Sequence, residues 1–435
     1  MRAFSNGLVT RARGLAGRSL RTVKRVLDER RSGGSVALVF VTPDELRAGI
    51  TDRAGLLAPG SAGPLIWPTA GAERHVLHDG LLRRLASAGE HPRLLSERFL
   101  SPGEYYTDPA YFVRFRQALL WPRWGLVMLE PGRLWDDSTV APRWFTPTLM
   151  GVPGIFTRHG ASRLSLGVAR PARVIEGPAL LLNNSAHHVY GHWLMDCLPG
   201  VVAFLEPLLA GKLSLVAPAL SPWQRRTLQR LRIPPTVITE ITDTVVECRD
   251  LIFASFLSSR GIGRPSQMAA QALRVLADSP PGQNRAGAPP LIYVSRADVP
   301  RGRVMSNERR LIEALARIGF VDVMPGALTI DQQIDFFSAA RVIVGPLGSG
   351  LANVGFAPPG CVVIEILPSS YLDTWIFHLT ALRGQRYAPI IANVRESDAR
   401  EIEMGGTRHR DVSFTYEVDV DIVVQAAGVA ASLET

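Results

Sequence analysis

Three of the chain's nine histidines fall within six residues, in the segment NNSAHHVYGHWLMDCLP at 183–199. Side chains four positions apart stack on one helix face. A helix begun by His188 therefore puts His188, His192 and Asp196 in one row, with Ser185 as its N-cap after the strand-like run ALLL at 179–182. Imidazoles on the first turns of a helix, at the carboxyl end of a strand, suit three purposes. A histidine that titrates near neutrality beside a carboxylate is a general base. His-x3-His-x3-Asp is also a spacing for zinc, but no second ligand cluster and no HExxH pattern accompanies it. The third reading is a set of satisfied polar groups beside an aromatic-rich core. Acid–base work or substrate binding is preferred here.

A second cluster, YVSRADVPRGRVMSNE at 293–308, puts Arg296 at the carboxyl end of a strand, followed by Arg301 and Arg303. Asn307 and Glu308 then start a helix. Guanidiniums beside a helix N-terminus make a diphosphate site; the plain alternative is a solvated basic loop. A third segment, GPLGSGLAN at 345–353, follows the strand RVIV. Gly348, Ser349 and Gly350 let backbone amides approach a ligand closely. Asn353 stands where a dinucleotide fingerprint has its third glycine, and no Lys-Ser/Thr follows as in a phosphate-binding loop. A tight strand-to-helix turn is the alternative there. Glu365, inside the apolar strand VVIEIL, needs a partner if charged: a ribose hydroxyl pair or a neighbouring Arg.

These segments need a scaffold. Between 291 and 391 strand-like runs alternate with helical ones: LIYV, a helix at about 307–318, GFVDVM, and a helix opened by the capping box Thr329-Ile-Asp-Gln332. RVIVG, VVIEIL, a helix through Trp375 and Leu379, and RYAPII follow. Such alternation predicts a parallel sheet covered by helices on both faces. The segment 279–290, SPPGQNRAGAPP, reads as a linker. Ahead of it, strands at 126–129, 179–182, 213–216 and 251–256, with helices over 188–210, 221–232 and 265–278, predict a second α/β unit. SVALVFV at 35–41 reads as the first strand, and 43–150 resists assignment. The division expected is an arm at 1–34, an α/β unit at 35–278, the linker, a Rossmann-like unit at 291–395, and a tail at 396–435 packing back on the first unit. Ligands of open α/β sheets bind at the carboxyl ends of the strands, so the chemistry is expected in a cleft between the halves.

The 435 residues, 46% hydrophobic and 20% charged, exclude a disordered chain, a collagen, a coiled coil and a disulfide scaffold. The formal charge is +9, but residues 1–31 hold nine basic side chains against two acidic, leaving only +2 for the rest. The basicity thus belongs to an arm. Its apolar residues at Phe4, Leu8, Ala12, Leu15, Leu20, Val23 and Leu27, interleaved with arginines, suit an amphipathic helix on an anionic membrane surface. A solvated tail and, less readily, a nucleic-acid contact are the alternatives. Cys197, Cys248 and Cys361 are too few and too scattered for a disulfide framework and read as buried thiols. No run is long and apolar enough to span a bilayer, and no secretory signal is visible.

Taken together, the motifs resemble glycosyltransferase family 61. The resemblance rests on His192-Trp-Leu-Met-Asp196-Cys-Leu-Pro199, then Tyr293 to Arg296, Arg303, Asn307-Glu308, Gly319-Phe320, Gln333, Gly345 to Asn353, and the strand ending in Glu365. It spans about 180–390, roughly half the chain, and is carried by order and spacing together. Many members have His before the Gly-x-Gly pair; here Leu347 stands there, so a contact made by that His has no counterpart. The resemblance implies a GT-B-like fold, with two Rossmann-like α/β domains facing across a cleft. It also implies inverting, metal-independent transfer from a nucleotide-sugar donor, with no cofactor.

On that basis His192, oriented by Asp196, is the expected base, with His188 and Asn184 on the acceptor side. Arg296, Arg303, Asn307, Glu308, Gly348, Ser349, Gly350, Asn353 and Glu365 are the expected donor contacts. The expected partners are a nucleotide sugar and a glycan or lipid-linked glycan acceptor, in bacterial capsular or surface polysaccharide synthesis, with no nucleic acid. The expected location is cytoplasmic, peripheral on the inner face of the membrane through residues 1–31. The competing classes are a Rossmann-type oxidoreductase or epimerase of sugar nucleotides, and a non-catalytic sugar-binding scaffold.

Overall fold

A computed structural model describes residues 110–130, 133–138, 171–182, 186–242, 245–255, 264–281, 284–299, 302–394 and 413–433, together with the backbone of short strands elsewhere. The arm at 1–34, Asn184, Ser185 and Arg301 lie outside the described residues.

The second half forms a seven-stranded sheet. Its core runs Val321–Val323, Leu291–Val294, Val342–Pro346, Val362–Pro368 and Arg386–Val394, all parallel. In chain order that is 2-1-3-4-5, a doubly wound order whose crevice opens between the first and third strands. Val342–Pro346 and Val362–Pro368 are buried at every position, as expected of parallel strands covered on both faces. The helices Glu308–Ala316, Ile330–Ala339 and Trp375–Leu382 lie close to the expected ones, and Thr329 and Gln332 close the capping box.

Two features differ from the sequence reading. Arg303–Met305 is a strand rather than a loop, paired in parallel with Phe414–Glu417, which in turn joins Arg386–Val394 antiparallel. The C-terminal segment therefore packs on the second sheet and not back on the first half. Its helix Val420–Ser432 buries Val423, Ala426 and Ala427 in the core shared with Leu311 and Leu315.

The first half carries a ten-stranded sheet. Ile238–Ile241, Ser214–Pro218, Val174–Leu181 and Val246–Ala254 are its parallel part. Their order, 3-2-1-4 by chain position, again opens a crevice beside the first strand. Antiparallel strands at Tyr111–Phe115, Ala118–Trp121, Leu126–Glu130 and Arg133–Trp135 extend it, so part of the unassigned 43–150 region belongs to this sheet. Trp135, Phe115 and Phe253 meet edge to face in its core. The expected first strand divides into Ser35–Ala37 and Val39–Val41, which join different sheets. The helix expected over 188–210 is broken into Tyr190–His192, a wider turn Trp193–Cys197, Leu198–Ala203 and Leu205–Leu209.

One apolar core runs through both halves, from Leu194 and Leu215 to Leu351 and Val363. Arg230, buried, clamps the halves. It donates to the carbonyls of Leu276, Ala277 and Ser279 and pairs with Asp331 on the second half's Ile330–Ala339 helix. All three cysteines are buried and unbonded. Among the described residues no helix is long and apolar enough to cross a membrane.

Candidate active site

The carboxyl end of the first half's first strand leads into Val189, which caps the His192 helix without a side-chain bond. His188 stands in the turn ahead of that helix, exposed and edge-on to His187, and does not line the cavity. The expected row of three therefore shortens to its lower step, because the helix starts two residues later. His192 Nδ1 lies 2.7 Å from Asp196 Oδ2. Between them the helix widens to a π turn over Trp193–Cys197, a distortion often found at functional sites. Trp193 anchors it from below, donating from Nε1 to Thr227 Oγ1 at 3.0 Å and meeting Trp223 edge to face.

The Asp196 carboxylate can only accept, so Nδ1 of His192 carries the proton and Nε2 is left as the acceptor. Burial pulls the His192 pKa down, but the hydrogen bond and charge of Asp196 and the charge of Asp373 outweigh it and hold it above its ordinary value. That combination suits a base working near neutral pH.

His192 and Asp196 open onto a cavity of about 250 Å³. Val189, Gly191, Met195 and Pro265 complete its wall from the first half; the second half brings Arg303, Leu347, Gly348, Ser349, Tyr371, Asp373 and Trp375. Both sheets thus present their crevices to the same space. Gly191 brings its backbone against Trp375 and Ser349: a Cβ there would lie 3.5 Å from the Trp375 ring and 3.6 Å from Ser349 Oγ.

Arg296 and Arg303 stand together at the carboxyl side of the second sheet. Gly348 abuts Arg296, since a Cβ at Gly348 would collide with its Nη1. Arg303 lies over the Tyr371 ring, 5.1 Å from its centroid, a cation–π contact that aims the guanidinium. The Nε of each arginine is buried without a hydrogen-bond partner. Burial and the nearby charge of Arg303 lower the pKa of Arg296. Two crowded guanidiniums, neither of them in an ion pair among the described residues, form a site for an anion.

Of the expected donor residues only Arg303, Gly348 and Ser349 line this cavity; Arg296 stands behind Gly348. Asn353 is fully buried, accepting from Tyr190 O–H at 2.6 Å and donating to Gln333 Oε1 and Gly350 O. It ties the His192 helix to the Gly-rich turn. Asn307 bridges to Val418 of the C-terminal segment, and Glu308 accepts from Tyr293 O–H and the Arg296 backbone N–H. These two hold the Arg296 loop in place. Gly350 sits against Pro325. Glu365 is completely buried and accepts from Tyr387 O–H at 2.5 Å, while its Oε1 has no partner. Burial pushes its pKa up to about 8, against the Tyr387 hydrogen bond. A ribose at that carboxyl would have to enter the core.

Sequence reasoning passed over Tyr371, Asp373 and Trp375. Their signal was position: they directly follow the strand Val362–Pro368, at the end where such sheets bind ligands. Among the described residues no group of three or more His, Cys, Asp and Glu gathers as a metal site.

No curated protein matches the chain. A family model described as Glycosyltransferase 61 matches residues 190–364. The match opens on Tyr190, takes in His192, Asp196, Arg296, Arg303 and the Gly348-Ser349 turn, and stops before Tyr371 and Asp373. The residues around this cavity thus lie in a segment, 190–364, that is similar to glycosyltransferase family 61.

Proposed function

We propose that this glycosyltransferase moves a sugar from a nucleotide-sugar donor to a hydroxyl of a glycan or lipid-linked glycan, with inversion and without a metal ion. His192 Nε2 takes the proton of the acceptor hydroxyl. The acceptor oxygen bonds the anomeric carbon from the face opposite the leaving group, and the bond from that carbon to the diphosphate oxygen breaks. Negative charge then grows on the nucleoside diphosphate, where Arg296 and Arg303 meet it. Asp196 keeps His192 in the correct tautomer and stabilises the imidazolium that forms.

The observation that carries this reading is the shared cavity: a histidine–aspartate pair from one half and the Arg303 guanidinium from the other, with Arg296 close behind it. The arginines supply the charge that a metal would otherwise provide. The parallel parts of the two sheets, each with a crevice beside its first parallel strand, support a GT-B-like arrangement, with acceptor groups on the first and donor groups on the second. The expected setting is bacterial capsular or surface polysaccharide synthesis at the cytoplasmic face of the membrane, with the arm at 1–31 holding the enzyme to anionic lipid.

The test is a thermal-shift screen against nucleoside diphosphates and nucleotide sugars, with and without chelator, followed by transfer assays on His192→Ala. A ligand that binds the folded state raises its melting temperature. Chelator-insensitive donor binding that survives in His192→Ala, with transfer lost, is expected. Unchanged turnover in that variant removes His192 as the base. Deleting residues 1–31 is expected to move the protein out of the membrane fraction while donor binding remains.

A further inference from the structure

Asp373 has no assigned part in the chemistry, yet it lines the cavity. It lines the same space as His192 and Arg303; burial raises its pKa, while the Trp375 and Thr374 backbone N–H groups and the charges of Arg303 and His192 favour the carboxylate. On the reading above, the transferred sugar lies between the leaving diphosphate and the base, in the space these three residues line. The carboxylate is held by its own turn, with Oδ1 accepting from the Trp375 backbone N–H at 3.4 Å. Among the described residues it has no ion-pair partner, so its acceptor capacity is not used up by a cation. Trp375 and Tyr371 flank it with aromatic surface, against which the apolar face of a sugar ring can lie. Asp196 is bonded to His192 and only 4% exposed, so Asp373 is the carboxylate open to a ligand.

We infer that Asp373 determines donor specificity: it accepts hydrogen bonds from hydroxyls of the transferred sugar, selects neutral sugars and rejects uronates. A hydroxyl donates to a carboxylate in a charge-assisted bond. A sugar carboxylate brought to the same place meets like charge in a partly dehydrated site, which is discrimination by repulsion as well as by fit. The inference rests on the nucleotide-sugar reading above.

The test measures binding of matched ligands at fixed ionic strength: UDP, UDP-glucose and UDP-glucuronate, and GDP, GDP-mannose and GDP-mannuronate. Each set shares one nucleotide, so the diphosphate contribution cancels. The wild-type protein is expected to bind the neutral sugar nucleotide about tenfold or more tighter than its uronate counterpart, as expected for losing one hydrogen bond to a charged group. Asp373→Asn is expected to bring the two within about threefold of each other; any gain in diphosphate affinity from removing a charge near Arg303 is common to both and cancels in the ratio. Asp373→Ser is measured alongside, so that one folded variant suffices; the wild-type ratio decides by itself if neither folds. Equal wild-type binding of neutral and uronate donors overturns the inference, as does a gap that survives both substitutions. Binding of the bare diphosphate in those cases leaves the donor reading standing. Absence of any diphosphate binding overturns both.

Discussion

His192 and Asp196 are 2.7 Å apart through Nδ1 and Oδ2, yet 49% of the histidine side chain is exposed against 4% of the aspartate. The buried partner is thus fixed by the protein, and the ligand-facing one is oriented by it. Asp196 raises the His192 pKa, so the neutral imidazole is recovered only as pH climbs past its ordinary value. The acid limb of kcat/KM is expected above that value. Asp196→Asn removes both the hydrogen-bond acceptor charge and the tautomer lock, so it moves the limb to lower pH and reduces kcat. His192→Ala is expected to lower kcat by about 10²–10⁴-fold. A pH–rate profile of the three proteins checks the order.

Tyr371 aims Arg303 through its ring. Tyr371→Phe keeps the ring and is expected to preserve donor affinity. Tyr371→Leu loses a contact worth about 0.5–1 kcal/mol and weakens donor binding by a few-fold. Titration with the donor, set beside Arg303→Ala, separates the contribution of the ring from that of the charge.

Gly348 has an extended backbone that any residue adopts, so its glycine is required for space. Gly348→Ala pushes a methyl into the Arg296 guanidinium. Because the obstacle is the far end of a flexible side chain, the arginine shifts and the fold survives. The expected result is a raised KM for the donor with a melting temperature within a few degrees of wild type.

Glu365 binds a proton in the folded state up to a pKa of about 8, whereas the unfolded chain releases it near 4.5. The folded protein therefore holds more protons across that window, and stability falls as pH rises through it. Glu365→Gln removes this slope while still accepting from Tyr387. It is expected to be the more stable protein at pH 8–9, by up to about 4 kcal/mol. Urea denaturation at pH 5, 7 and 9 measures the difference.

Asn353 holds Tyr190, Gln333 and the Gly350 carbonyl together across the two halves. Asn353→Leu leaves these buried groups unsatisfied and is expected to destabilise by about 2–4 kcal/mol. Its kcat is expected to fall as well, since the network joins the His192 helix to the Gly-rich turn. Chemical denaturation and initial rates report the two effects separately.

Much of this molecule was legible in the chain because the signals were local. Alternation of strand and helix between Leu291 and Ile391 follows from periodicity within windows of a few residues. The Thr329 capping box acts over three positions. The His192–Asp196 pair needs one turn of helix, and it formed even though His188 fell outside that helix. Arg303 is the opposite case. Its strand exists because Phe414–Glu417, more than a hundred residues away, lies beside it.

The sequence by itself determined the α/β class, the elements of the second half and the residue types of the site. Only the tertiary structure decided which of those residues meet. It brought Asp373 and Tyr371 to His192, turned Asn353 and Glu365 into buried supports, and laid the C-terminal helix on the second sheet. The reason is physical. A cap or a helical step is set by neighbours along the chain, whereas burial and the pairing of side chains across a cavity depend on surfaces supplied by distant segments, whose identity no local pattern carries.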